Sequence, residues 1–250
     1  MITVTTAQKS RHVRLALRDQ TVRERRLARQ LSAEIKRVAR QAASKGSADG
    51  LVSEHKSNVL SLVQRNTLST VNGAFDDAID KLGKSGIVRI EHKYDSEDAY
   101  RARAVKAVRA RALDVADVTS KTTISRIKGV IARGMDADKS PSEIADDIVA
   151  RVGGAVSERR AMTIARTETH SAAQIGQHES VASTGIDFKR EWIATSDEST
   201  REDHSSASGQ KTSMDEPFQV GGESLMYPGD PSGSAEQIIN CRCQVGYISR

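Results

Sequence analysis

The side chains able to coordinate a metal or trade protons crowd into the last third of this 250-residue chain. In order they run Ala165-Arg166-Thr167-Glu168, Trp192, Asp197, Thr200-Arg201, His204, Gly209, Pro217-Phe218, Pro228-Gly229-Asp230-Pro231 and Asn240-Cys241-Arg242-Cys243. His204, Cys241 and Cys243 are soft or borderline ligands that zinc accepts, and His170, Asp203 or water could complete the set. C-x-C is less usual than C-x-x-C, and the competing reading is a pair of buried thiols that pack or hydrogen-bond. A disulfide between the two would be strained at that spacing and disfavoured in a reducing cytoplasm. Arg166 and Glu168 stand two apart on a helix, point to different faces, and each need another partner. Asp197 and Arg201, four apart in a loop, can fix a polar segment to that helix through charge-assisted hydrogen bonds. A catalytic reading of Arg166, Glu168, Asp203 and His204, as a metal-dependent nuclease or toxin-like transferase, competes with this structural one. His178 shares a face with His170 but lies two turns on, too far to chelate the same ion. His12, His55 and His92 read as surface residues, and Trp192 as a core anchor. No Gly-rich phosphate loop, Ser-His-Asp order or H-E-x-x-H motif is present.

These residues need a scaffold, and the pattern ahead of them is helical. The first proline is Pro141, so a long stretch free of helix breakers precedes it. Leu27, Leu31, Ile35, Val38 and Ala42 form one apolar stripe, extended backwards by Val13 and Leu17 and stopped at Lys45-Gly46-Ser47. Leu60, Val63, Leu68, Val71, Phe75, Ile79 and Leu82 signal a second helix closing near Gly83 and Gly86. A third starts around Ser96, carries Tyr100, Ala104, Val108, Val115 and Val118, and runs towards Gly134. Gly86 to Ile90 reads as a short strand or an extended connection. Ser140-Pro141-Ser142-Glu143 predicts a capped helix start, with that helix ending at Gly153-Gly154. Ser157 can cap the next helix, which stops at Gly185. Phe188 to Ala194 and Gln244 to Ile248 read as strands, with Pro228 to Pro231 a turn between them. The fold class is therefore α+β: a long helical N-terminal region, then a small mixed α/β domain. Three segments are expected: a basic helix over 1–50, a helical region over 51–155, and the mixed domain over 156–250.

Composition narrows the partners. Aromatic residues are 3% and the apolar fraction is 37%, which suits thin helical assemblies with narrow stripes that must pack on neighbours or on another protein. Residues 1–45 hold twelve Lys and Arg against three acidic residues, whereas residues 195–250 hold four against nine. The basic end, with Arg11, Arg14, Arg18, Arg23, Arg25, Arg26 and Arg29, suits phosphate or an acidic protein surface; a merely solvated helix face is the alternative. No stretch is apolar enough to span a membrane and no signal core is present, so a soluble cytoplasmic product is expected. A stand-alone nucleic-acid-binding protein is a further reading, weakened by the scarcity of aromatics for stacking.

Taken together, the order and spacing from Ala165-Arg166-Thr167-Glu168 to Asn240-Cys241-Arg242-Cys243 resemble the phage head-morphogenesis family typified by phage Mu protein F, the SPP1-type minor head proteins. The resemblance covers about residues 155–250. It implies a minor capsid component at the portal vertex, inside the virion, with the portal protein and the major capsid protein or scaffold as partners. Double-stranded DNA is a further partner, bound non-specifically; no membrane and no catalytic activity are implied. Arg166, Thr167, Glu168, Trp192, Asp197, Arg201, His204, Asn240 and Arg242 fall on the motif. Two departures stand out: Ser199 occupies a position where the family has Arg, and small residues fill the apolar position between His204 and Gly209.

Overall fold

In a computed structural model the chain is described over residues 6–84, 95–195 and 197–249, with side chains undescribed at 6–19, 95–97, 156 and 249. Five long or medium helices come first: α1 (Thr6–Lys45), α2 (Leu51–Lys84), α3 (Asp95–Asp136), α4 (Pro141–Gly153) and α5 (Ala155–Ser183). Short elements follow: β1 (Phe188–Ile193), α6 (Glu202–Ser206), β2 (Lys211–Thr212), β3 (Phe218–Val220), β4 (Glu223–Leu225), α7 (Ala235–Ile238) and β5 (Gln244–Ser249). Among the described residues no strand precedes Phe188, as the proline-free, periodic sequence demands. The possible strand at Gly86 to Ile90 lies outside the described residues, as do the side chains of Val13, Leu17, His12 and His92.

The chain forms two compact units. One is all helical and comprises Glu24–Asn66 and Arg109–Ala165; the other comprises the residues up to Arg23, Thr67–Val108 and Arg166–Arg250.

The helical unit is built around the predicted α1 stripe. Leu27, Leu31, Val38 and Ala42 are fully buried, and Ile35 nearly so. Much of its core is alanine: Ala28, Ala112, Ala116, Ala161 and Ala165 pack with Leu27, Leu31, Val59 and Val63. A second cluster joins Ile35, Val38 and Ala42 to Ile124, Ile127, Ile148 and Val152. Small side chains allow close helix approach where the sequence offers few aromatics. Gly46 ends α1 in the left-handed conformation, φ 65°, which glycine adopts without a Cβ clash. The Ser140 capping box forms as predicted: its Oγ accepts from Glu143 N at 3.4 Å, and Ser140 N donates to Glu143 Oε2 at 2.8 Å. Ser157 does not cap α5; its hydroxyl donates backward to the Gly153 and Gly154 carbonyls, at 3.1 and 2.7 Å.

Two expectations are corrected here. Val118 is 63% exposed, because ten residues after Val108 it has rotated about 80° away from that line at 100° per residue. Ala112, Val115, Ala116 and Thr119 carry the buried face instead. His55 is wholly buried rather than on the surface, where Glu34 gives its Nδ1 a partner at 3.0 Å and so offsets part of the cost of burying the ring.

In the sheet-bearing unit, α2, α3 and α5 contribute Val71, Ala104, Val108, Ala172 and Ile175 to one cluster. Gly176 lets α5 approach α2: a Cβ there would stand 2.4 Å from the Val71 carbonyl oxygen. Ser180 Oγ donates to the Phe75 carbonyl at 2.8 Å one turn on. Strands β2, β1 and β5 make an antiparallel sheet in that order, with Trp192 opposite Val245 and Phe188 opposite Ser249. β3 and β4 form a hairpin whose two loop residues, Gly221 and Gly222, have φ 58° and 80°. A two-residue turn with both φ positive matches the twist of the strands it joins. Trp192, Phe218, Val220, Leu225, Cys241, Cys243 and Val245 form the small core under these strands.

Candidate functional site

The fastening of the C-terminal motif begins on α5. Arg166 and Thr167, at the start of that helix's passage through this unit, meet Asn240: Arg166 Nη1 donates to Asn240 Oδ1 at 3.4 Å, and the Asn240 N–H donates to Thr167 Oγ1 at 3.1 Å. Asn240 has φ 57°, a left-handed conformation that asparagine tolerates better than most residues, and it turns the chain from α7 into Cys241-Arg242-Cys243. Glu168 is 4% exposed. Two turns along the same face, Gln174 Nε2 donates to Gln244 Oε1 of β5 at 2.7 Å. A second grip comes from the 195–201 loop, but its charges do not reach α5. Asp197 instead pairs with Arg242 at 2.6 Å, and Arg201 Nη2 donates to the Ile239 carbonyl at 2.5 Å. Thr195 Oγ1 adds a bond to the Arg242 carbonyl at 2.8 Å. The segment is thus held from both sides.

At the centre, α6 and the Cys241–Cys243 turn bring His204 Nδ1 within 3.4 Å of Cys243 Sγ and 3.7 Å of Cys241 Sγ. All three side chains are 2% exposed. The opposite ring nitrogen, Nε2, lies 3.0 Å from Gln237 Oε1, and Gln237 Nε2 donates to Asp203 Oδ2 at 3.2 Å. Trp192 packs edge-on against the imidazole, ring centres 5.6 Å apart, which confirms its place in the core. Of the two thiols Cys243 ionises first: the Cys241 thiol hydrogen-bonded to it, and then His204, lower its pKa. The same contact with Cys243, added to burial, pushes Cys241 up. His170 and Asp203, named above as completing ligands, are engaged otherwise. His170 Nδ1 faces Gln20 Oε1 at 3.3 Å, and burial lowers its pKa to about 4.

Arg190 escaped the sequence reading. It is fully buried on β1, donating through Nε to Ser213 O at 2.9 Å and through its two terminal nitrogens to the Met226 and Glu216 carbonyls. Its guanidinium lies over the Phe218 ring at 5.0 Å. Burial lowers its pKa. The Pro228–Pro231 turn, meanwhile, is closed by Asp230, whose carboxylate accepts from Met226 N at 2.8 Å and from Ser232 N at 2.9 Å.

The basic residues of α1 divide. Arg11, Arg14 and Arg18 have side chains outside the described residues. Arg23 Nη1 is committed to Ser69 Oγ at 2.9 Å. Arg25, Arg26 and Arg29 are exposed, and Arg25 and Arg29 line a shallow groove with Lys36, Arg40, Glu158 and Met162. No helix of the described residues is long and apolar enough to cross a membrane.

Residues 125–246 match the family model described as Phage Mu protein F like protein. A curated relative in Enterococcus faecalis (strain ATCC 700802 / V583), named NAD(+)--arginine ADP-ribosyltransferase EFV, is 35% identical over 116 residues, covering 45% of this chain and 23% of that protein. The uncharacterized protein YqbB of Bacillus subtilis (strain 168) is 26% identical over 145 residues, 56% of this chain and 47% of the relative. The chain thus spans less than half the length of either. No solved structure matches it. Over residues 125–246, which hold every residue of the fastening around Asn240, the chain is similar to the Phage Mu protein F like family.

Proposed function

We propose that this chain is a minor capsid, head-morphogenesis protein of a tailed bacteriophage, acting at the portal vertex inside the head. The observation that carries this is the family match over residues 125–246, which spans the motif that first suggested it. In this reading residues 156–250 hold most of the family's own domain, whose match begins at residue 125; residues 51–155 form a helical region and 1–50 a basic contact element. The partners are the portal protein and the coat or scaffold. Non-specific contact with packaged DNA falls to Arg25, Arg26 and Arg29, with Arg11, Arg14 and Arg18 ahead of them; Arg25 and Arg29 share a groove with Lys36 and Arg40.

An enzymatic reading is less well supported. The transferase name belongs to a protein of which the match covers 23%. Within the Arg166, Glu168, Asp203 and His204 set, Glu168 and His204 are buried, at 4% and 2% exposed, while Arg166 is half-buried and the exposed Asp203 carboxylate accepts from Gln237.

Disrupting the reading frame in its phage or prophage tests the assignment. The expected result is lysis with few infectious particles, and a wild-type virion that carries a few copies of the chain by mass spectrometry. An unchanged titre with no copies in purified virions refutes it. For the DNA contact, Arg25→Ala, Arg26→Ala and Arg29→Ala together should weaken binding several-fold and flatten its salt dependence, because fewer counterions are released. Deleting residues 1–45 is not a usable test, since Leu27 to Ala42 are core.

A further inference from the structure

We infer that His204, Cys241 and Cys243 bind one zinc ion that fastens α6, the turn after α7 and β5 together. The inference stands apart from the head-assembly reading and rests on three observations.

The first is distance. The three ligand atoms lie within 4.8 Å of one another, with His204 Nδ1 at 3.4 and 3.7 Å from the two sulfurs. Zinc bonds of about 2.3 Å to sulfur and 2.0–2.1 Å to nitrogen, at tetrahedral angles, require nitrogen and sulfur to be about 3.6 Å apart. The two nitrogen-to-sulfur separations already meet this requirement, and the sulfurs, within 4.8 Å of each other, need come only to about 3.8 Å. Among the described residues no other His, Cys, Asp or Glu joins the group, so water takes the fourth position.

The second is the direction of the histidine lone pair. The Asp203 carboxylate only accepts hydrogen bonds, so Gln237 must turn its NH2 towards Asp203 and its carbonyl oxygen towards His204. That oxygen in turn requires a proton on His204 Nε2. Nδ1 is left as a bare lone pair aimed at the two sulfurs. A histidine whose remote nitrogen is held by an oriented acceptor is how metal-ligating imidazoles are fixed.

The third is the room made for this relay. A Cβ on Gly221 would stand 2.3 Å from Gln237 Nε2 and 2.6 Å from Asp203 Oδ2. Glycine at the hairpin turn thus serves the histidine's orientation as well as the turn.

The test uses the untagged full chain. Elemental analysis after dialysis should find one zinc per chain. Cobalt(II) exchanged into the site should show the sulfur-to-metal charge-transfer band and the visible bands of a tetrahedral ion. Cys243→Ser and His204→Ala should abolish both. Because those variants could loosen the domain for other reasons, Gln237→Ala is the second arm: all three ligands remain, and zinc affinity should fall 10- to 100-fold as the ring loses its orientation. Three results overturn the inference: less than a tenth of a metal per chain from zinc-replete cells with no cobalt spectrum, zinc retained in Cys243→Ser, or affinity unchanged in Gln237→Ala.

Discussion

Replacing Glu34 by Gln isolates one buried ionic network in the helical unit. Glu34 is 8% exposed and His55 wholly buried. The carboxylate accepts from Arg37 Nε at 2.8 Å and Nη2 at 2.9 Å, meets His55 Nδ1 at 3.0 Å, and accepts from Asn58 at 3.3 Å. Burial alone would push its pKa up, but the hydrogen bonds from Arg37, His55 and Asn58 outweigh it and hold the group at about 2 against an ordinary 4.5. A depressed folded-state value means stabilisation that is fully present above pH 4.5 and lost as the pH falls towards 2. That difference corresponds to a ceiling of about 3 kcal/mol. The Arg37 side chain is 33% exposed, so solvent screening reduces the figure to roughly 1–2 kcal/mol. Gln keeps the shape, and Arg37 keeps Glu54 at 2.8 Å. Chemical denaturation followed by helical circular dichroism should show Glu34→Gln destabilised by roughly 1–2 kcal/mol at neutral pH, and by about half as much at pH 3. An equal deficit at both pH values would refute the argument, because it would trace the loss to packing and not to charge.

Two other substitutions address the sheet-bearing unit. Gly176→Ala sets a methyl 2.4 Å from the Val71 carbonyl oxygen, and a thermal melt should show a loss of about 1–3 kcal/mol as α5 is forced off α2; an unchanged melting temperature would deny the close approach. Arg190→Met leaves the Ser213, Glu216 and Met226 carbonyls without their donor, at about 1–3 kcal/mol for each group left unsatisfied. Hydrogen exchange should then rise across residues 213–226 and stay low in α1, whereas uniform protection would mean the clamp is redundant.

What the sequence disclosed depends on whether a residue's neighbours along the chain decide its surroundings. Leu27 to Ala42, the Ser140 box and strands β1 and β5 are local patterns, and each appears where the period or the cap predicts it. His204, Cys241 and Cys243 were recognisable by ligand type alone, and they converge. Val118 failed because a run of valines resembled a stripe whose true members were the smaller Ala112 and Ala116. His55 and Arg190 failed for another reason: a polar residue is inside when a distant partner satisfies it, Glu34 from 21 residues away or carbonyls 23 to 36 residues on. No local pattern carries that information, although an Arg inside the apolar strand at Phe188 to Ile193 was a clue, since every second residue of such a strand faces the core. The short strands β2, β3 and β4 were legible only as a Gly-, Pro- and Ser-rich stretch.

The departure at Ser199 can be weighed against this geometry. Where the family has Arg, a reader of the sequence would suspect that a guanidinium needed to close the domain is missing. In the structure that closure is made by other groups. Asp197 takes Arg242 at 2.6 Å, and its Oδ1 also accepts from the Ser199 N–H at 3.0 Å, an Asx-type turn in which the side chain at 199 plays no part. Arg201 reaches the Ile239 carbonyl, and Ser199 itself is exposed. An arginine at 199 would therefore project from the loop without entering the Asn240 fastening. Its replacement leaves the closing of the domain to Asp197, Arg201 and Arg242.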